Sequence, residues 1–156
     1  MSDRSGAPST ASIVGVAMFA VGGFWALDVF GLGVLSLIFD RDVINDPRAG
    51  VALGLIMIVA ATLALAGGLI RVALRGDPGI RFVTVLLLVA GVYVAYIVAA
   101  VVGWIFLAAG PPAEGFFFAL RMAGDWPSGV IVVSAFVAVL SYFGMLRYRS
   151  RTTTAI

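Results

Sequence analysis

The chain has 156 residues, 62% of them hydrophobic and 12% charged, with a formal net charge of +2 and a mean hydropathy of +1.13. This balance is far from the near-even apolar and polar content of a soluble domain and predicts an integral membrane protein. With no Cys and no His, the chain cannot make disulfides, the usual zinc sites, His-ligated haem, thiol redox centres or a His-based catalytic site, so we expect no cofactor, no catalytic apparatus and no enzyme.

The first residues, "MSDRSGAPSTAS", lack the positive n-region of a secretory signal. The apolar run that follows is longer than an h-region of about 7 to 15 residues, and it reads as a retained first span. Four apolar blocks follow one another, and the charged and Pro-rich stretches fall between them. Each block reaches the length of about 20 residues that a bilayer crossing requires. In lipid the backbone must pair within its own segment, and four segments are too few for a closed barrel. The predicted fold is therefore all-α, a four-transmembrane-helix bundle with spans over about 12–38, 48–74, 79–109 and 127–147, flanked by tails 1–11 and 148–156.

In the first span, Gly15, Gly22, Ala26 and Gly33 fall on one stripe at about 100° per residue, and small residues are what let helices in lipid approach closely. Asp28 sits about 140° around the helix from that stripe, with Val21, Phe24, Gly31 and Leu35. If the stripe packs into the bundle, the carboxyl points away from that seam.

The second and third spans both open on Asp-Pro, in "NDPRAG" and "GDPGIRF". Asp46 and Asp77 are predicted helix caps, with Pro47 and Pro78 at the first helical position, where a missing N–H costs nothing. Shared helix-start chemistry explains the 31-residue spacing of the two motifs better than a repeat does. Packing residues are expected at Gly50, Gly54, Ala60, Ala64 and Gly68 in the second span, and at Gly91, Ala95, Ala99 and Gly103 in the third.

The third connection, "PPAEGFFFALRMAG", is too apolar for a free loop and too short for a span. It predicts a short interfacial helix with Phe116, Phe117, Phe118 and Leu120 toward the bilayer and Arg121 toward water. "GDWPSG" then starts the fourth span, with Asp125 or Ser128 as cap and Pro127 beside it. The tail "LRYRSRTTTAI" carries Arg147, Arg149 and Arg151 at alternate positions, an expected topology and anionic-lipid anchor.

Seven arginines, Arg4, Arg71, Arg75, Arg81, Arg147, Arg149 and Arg151, lie at the ends shared with the termini, against Arg41, Arg48 and Arg121 at the opposite ends. The positive-inside rule then puts both termini in the cytoplasm. Trp25, Trp104 and Trp126 would fall toward the outer ends of their spans, as interfacial anchors. All ten basic residues are Arg, a codon bias that points to a GC-rich, bacterial genome and so to a multi-pass protein of the bacterial inner (plasma) membrane.

Asp28 is the acid left without an ordinary role, because no span carries a basic residue in its central portion. Three readings follow: protonated or hydrated near the outer interface, meeting a donor of another subunit, or titrating as an ion or proton site. Tyr93, Tyr96, Thr62, Thr84, Ser134, Ser141 and Tyr142 would be its hydroxyl company. The expected function is a non-enzymatic accessory or structural subunit beside a larger membrane-protein complex, with Asp28 at the contact. The alternative is a small homo-oligomeric transporter or channel with Asp28 as the coupling carboxylate. The partners expected are the lipid bilayer and a membrane protein or further copies of the chain; three tail charges do not support nucleic-acid binding.

Overall fold

The computed structural model describes residues 10–44, 46, 48–75 and 82–153, with side chains described over 13–44, 46, 48–75 and 82–148. Asp77, Pro78, Arg4, Arg81 and Pro47, with the side chains of Arg149 and Arg151, lie outside the described residues. The fold is all-helical: α1 (Thr10–Phe39), α2 (Gly50–Leu74), α3 (Phe82–Leu107), α4 (Pro112–Gly124) and α5 (Trp126–Thr153). Four of these, α1, α2, α3 and α5, contain stretches long and apolar enough to cross a membrane.

Local chemistry sets the helix ends. Asp40 and Ala109 adopt left-handed φ values of 49° and 48° just past α1 and α3. At the first of these the Arg41 N–H reaches back to the Ser36 carbonyl at 3.2 Å, a six-to-one closure that satisfies an orphan carbonyl. Asp46 accepts the Arg48 N–H at 3.0 Å, but α2 itself starts at Gly50, whose φ of +60° separates the capped turn from the helix. The predicted cap therefore holds a turn ahead of the helix rather than its first turn. At the α4–α5 corner Asp125 accepts the Trp126 N–H at 2.8 Å. The Ser128 hydroxyl donates to the carbonyls of Ala123 and Asp125 at 2.9 and 2.8 Å, so it braces the corner instead of capping α5.

The core is built from two antiparallel pairs, α2 with α3 and α1 with α5, joined where α3 meets α5. Along α2, Leu53, Met57, Ala61, Leu65 and Leu69 are buried at spacings of four, a single ridge that meets Val85, Val89, Val92, Tyr96, Ala99 and Gly103 of α3. A Cβ at Gly103 would run into Leu53, and one at Gly68 into Leu88, so each glycine accepts a leucine from the opposite helix.

In α1 the buried residues are Val16, Ala17, Ala20, Phe24, Asp28 and Leu32. Gly31 joins them against α5, where an added Cβ would lie 2.8 Å from Val130 Cγ1. The predicted seam of Gly15, Gly22, Ala26 and Gly33 is instead exposed, with nothing within 4 Å of a Cβ at the three glycines. The helix is turned by roughly half a revolution from the predicted orientation. The physical reason is bulk: Phe24 and Leu32 fill the core and bury far more area than glycines can.

The short helix α4 packs lengthwise on α3. Gly115, near its start, rests on Trp104 and the Val101 carbonyl, while the Ala123 carbonyl near its end accepts the Tyr93 hydroxyl at 3.0 Å. Progress along α4 is thus regress along α3, and the buried face is Gly115, Ala119 and Met122. Phe118 is half-buried, and Phe116, Phe117, Leu120 and Arg121 are exposed.

Candidate functional site

Asp28 lies near the middle of the apolar span Ile13–Phe39. The helix runs unbroken through Gly31 and Gly33, so no kink carries the carboxyl toward either end. Its relative exposure is 0%, and neither carboxyl oxygen has a hydrogen-bond partner. Ser134 of α5, 3% exposed, is near enough to act on the carboxyl, but no bond of standard length and angle links them. Tyr96 of α3, also 3% exposed, lies within electrostatic reach of both Asp28 and Asp125.

Three helices thus contribute the site: α1 the acid, α5 a hydroxyl, α3 a phenol. No basic side chain is buried among the described residues, so the carboxyl has no counter-ion inside the bundle. An uncompensated charge in such surroundings is expensive, and a bound proton is the simplest compensation the site allows. Eight residues further along α5, the Tyr142 hydroxyl is likewise buried and unpartnered. Among the described residues no three or more His, Cys, Asp or Glu gather as a metal set.

The other predicted residues fall in distinct places. On α3, Ala99 and Gly103 are buried, Ala95 is half-buried, and Gly91 faces outward with nothing near it, so the stripe of four is a packing seam over only its second half. Trp104, predicted as an interfacial anchor, is 2% exposed. Its ring stacks on Phe118 at 4.7 Å and carries the Arg48 guanidinium 5.2 Å above its centroid. It is a core residue beneath α4. Arg48 in turn pairs with Glu114 at 3.3 Å, which ties the start of α2 to the start of α4. Trp126 is half-buried against Phe39 at 5.8 Å. Trp25, also half-buried, sits near the middle of α1 rather than at an outer end. Arg147 is exposed at the far end of α5.

Sequence reasoning missed Gly31 as a packing residue and named Tyr96 only as one of seven candidate hydroxyls for Asp28. A signal for Gly31 was present: it lies three residues from Asp28, on the same face of the helix. For Tyr96 nothing in the sequence selected one hydroxyl among seven.

The family match extends over residues 8–155 and carries the description "Family of unknown function (DUF6121)". The chain belongs to that family. No curated protein and no solved structure matches it.

Proposed function

We propose that this family member is a small multi-pass membrane transporter or channel, of bacterial inner-membrane origin and without enzymatic activity, in which Asp28 takes up and releases a proton as part of transport. The observation that carries this reading is a fully buried carboxyl with no partner for either oxygen. Ionisable groups inside membrane spans are costly and are kept chiefly for ion or proton pathways. Burial also argues against a direct role for Asp28 in meeting a partner at the protein surface. Both termini face the cytoplasm in this reading, with α4 at the outer side and the arginines of the last turns and tail beside anionic lipid.

The test is proton flux in proteoliposomes carrying an internal pH dye. Wild type should dissipate an imposed proton gradient faster than empty vesicles, and Asp28→Asn should behave like empty vesicles. Equal flux in wild type and Asp28→Asn, or wild type no faster than empty vesicles, overturns the reading.

A second reading, an accessory subunit beside a larger membrane protein, is favoured by the outward stripe of Gly15, Gly22, Ala26 and Gly33, because small-residue faces suit close helix association in lipid. A gentle-detergent pull-down from native membranes tests it. A stoichiometric partner retained by wild type and lost on Gly22→Leu supports this reading, and recovery of the chain alone removes it.

A further inference from the structure

Away from Asp28, the end of the bundle where α1 meets the α4–α5 corner carries groups that the transport reading does not use. A cleft of about 410 Å³ is lined there by Phe39, Arg41 and Trp126. Phe39 closes the apolar stretch Ile13–Phe39, and Trp126 opens the stretch Trp126–Tyr148. The two rings therefore mark the boundary between hydrocarbon and headgroups, the level that aromatic side chains favour, and Arg41 lies two residues beyond it on the polar side.

The backbone of this corner is pinned while its side chains stay uncommitted. Arg41 is tied twice to the last turn of α1: its N–H donates to the Ser36 carbonyl at 3.2 Å, and its carbonyl accepts the Ser36 hydroxyl at 2.7 Å. The Trp126 N–H donates to Asp125 Oδ1 at 2.8 Å, and the Trp126 ring stands 5.8 Å from that of Phe39. The Arg41 guanidinium is exposed and pairs with no acid among the described residues, whereas Arg48 is engaged by both Asp46 and Glu114. The Trp126 indole N–H is shielded from solvent and has no acceptor, and a buried donor left unpaired is costly.

We infer that this cleft binds the phosphate of a membrane phospholipid. The planar guanidinium fork of Arg41 matches two phosphate oxygens. The indole, pivoting toward the cleft, donates to a phosphate or ester oxygen, the acceptor that the bundle itself withholds. An acyl chain continues down the stripe of Trp126, where Val133 and Val137, seven and eleven residues on and so on the same face, are exposed. Inorganic phosphate would meet the cation but leave the aromatic walls and this apolar stripe unused. Asp40 and Asp42, both exposed, flank Arg41, so no net positive field selects an anionic headgroup. What is recognised is the phosphate that anionic and zwitterionic phospholipids share.

The experiment is titration calorimetry of the purified, delipidated full chain in uncharged detergent. The probes are dioleoylphosphatidylglycerol, dioleoylphosphatidylethanolamine, dioleoylglycerol and inorganic phosphate. Both phospholipids are expected to saturate one site per chain, and dioleoylglycerol and inorganic phosphate to show no saturable binding. Arg41→Gln should weaken phospholipid binding about fivefold, and Trp126→Phe, which keeps an aromatic wall and deletes the N–H, by a similar factor. Arg121→Gln, another exposed arginine, should leave it unchanged. Arg41→Gln alters an exposed side chain, and an unmoved thermal midpoint reports that the variant is folded. Equal binding in wild type and Arg41→Gln, an equal loss in Arg121→Gln, or binding of dioleoylglycerol as tight as that of the phospholipids overturns the site. Saturable binding of inorganic phosphate that displaces the phospholipids overturns the lipid as its occupant.

Discussion

Helix α1 and the α2–α3 contact place their glycines differently. Between α2 and α3, Gly68 and Gly103 each receive a leucine from across the seam. In α1, Gly15, Gly22 and Gly33 receive nothing, and the one glycine that holds a neighbour is Gly31, opposite Val130. Four small residues on a stripe therefore do not by themselves mark an inward face. A small residue marks a seam when the partner helix presents a large one at the same level, and that is a property of two helices together.

Leucine substitutions at three glycines should break or sharpen this contrast, read as thermal unfolding in detergent. The largest effect is expected for Gly103→Leu, where the added atoms meet the buried Leu53 on a two-sided contact; the loss should reach about 3 kcal/mol or prevent accumulation altogether. Gly31→Leu should follow at about 1 to 3 kcal/mol, because the Val130 methyl can shift only by displacing the buried residues around it. Gly33→Leu, two residues away on the opposite side, should stay within about 0.5 kcal/mol. A strong loss at Gly33 without one at Gly31 would reverse the described orientation of α1.

The same contrast separates Asp28 from the rest of its face. Replacing it by Leu removes a carboxyl that finds no partner in the bundle, so Asp28→Leu should raise stability by about 1 kcal/mol while abolishing proton flux. A stability loss would mean that the carboxyl is held by a bond that the geometry does not contain. Tyr93→Phe deletes the tie between α3 and the end of α4 and should cost about 1 kcal/mol. The smallest effect is expected for Glu114→Gln, since the bridge to Arg48 joins two side chains that are 47% and 62% exposed. Screening by solvent leaves such a pair at about 0.5 kcal/mol or less, measurable as a faster local exchange of α4 amides before any change in global unfolding.

The helical architecture was legible from the apolar blocks, because lipid leaves the backbone little else to do. Asp28 was legible as a lone acid for the same reason. The direction in which α1 faces was not: the helix is apolar on every side, so no polar stripe points to solvent and no amphipathic pattern points to the core. With that cue missing, the small-residue stripe was the remaining guide, and it gave way to the larger area buried by Phe24 and Leu32. Trp104 was hidden for a related reason. Its burial depends on α4 folding back along α3, a tertiary event set by Gly115, Tyr93 and Arg48, none of which is near it in both sequence and helix face.

The unbroken course of α1 also bears on the membrane itself. Its apolar stretch Ile13–Phe39 has 27 residues, against 23 for Trp126–Tyr148 beside it. At 1.5 Å per residue these are about 40 and 35 Å, compared with a hydrocarbon core of about 30 Å. Two packed helices of unequal hydrophobic length cannot both match one bilayer upright, so the pair leans or the lipid thickens around it, at a fraction of a kcal/mol for each ångström of mismatch. Bilayer thickness is therefore a variable to which the α1–α5 contact, and the carboxyl enclosed within it, is mechanically coupled.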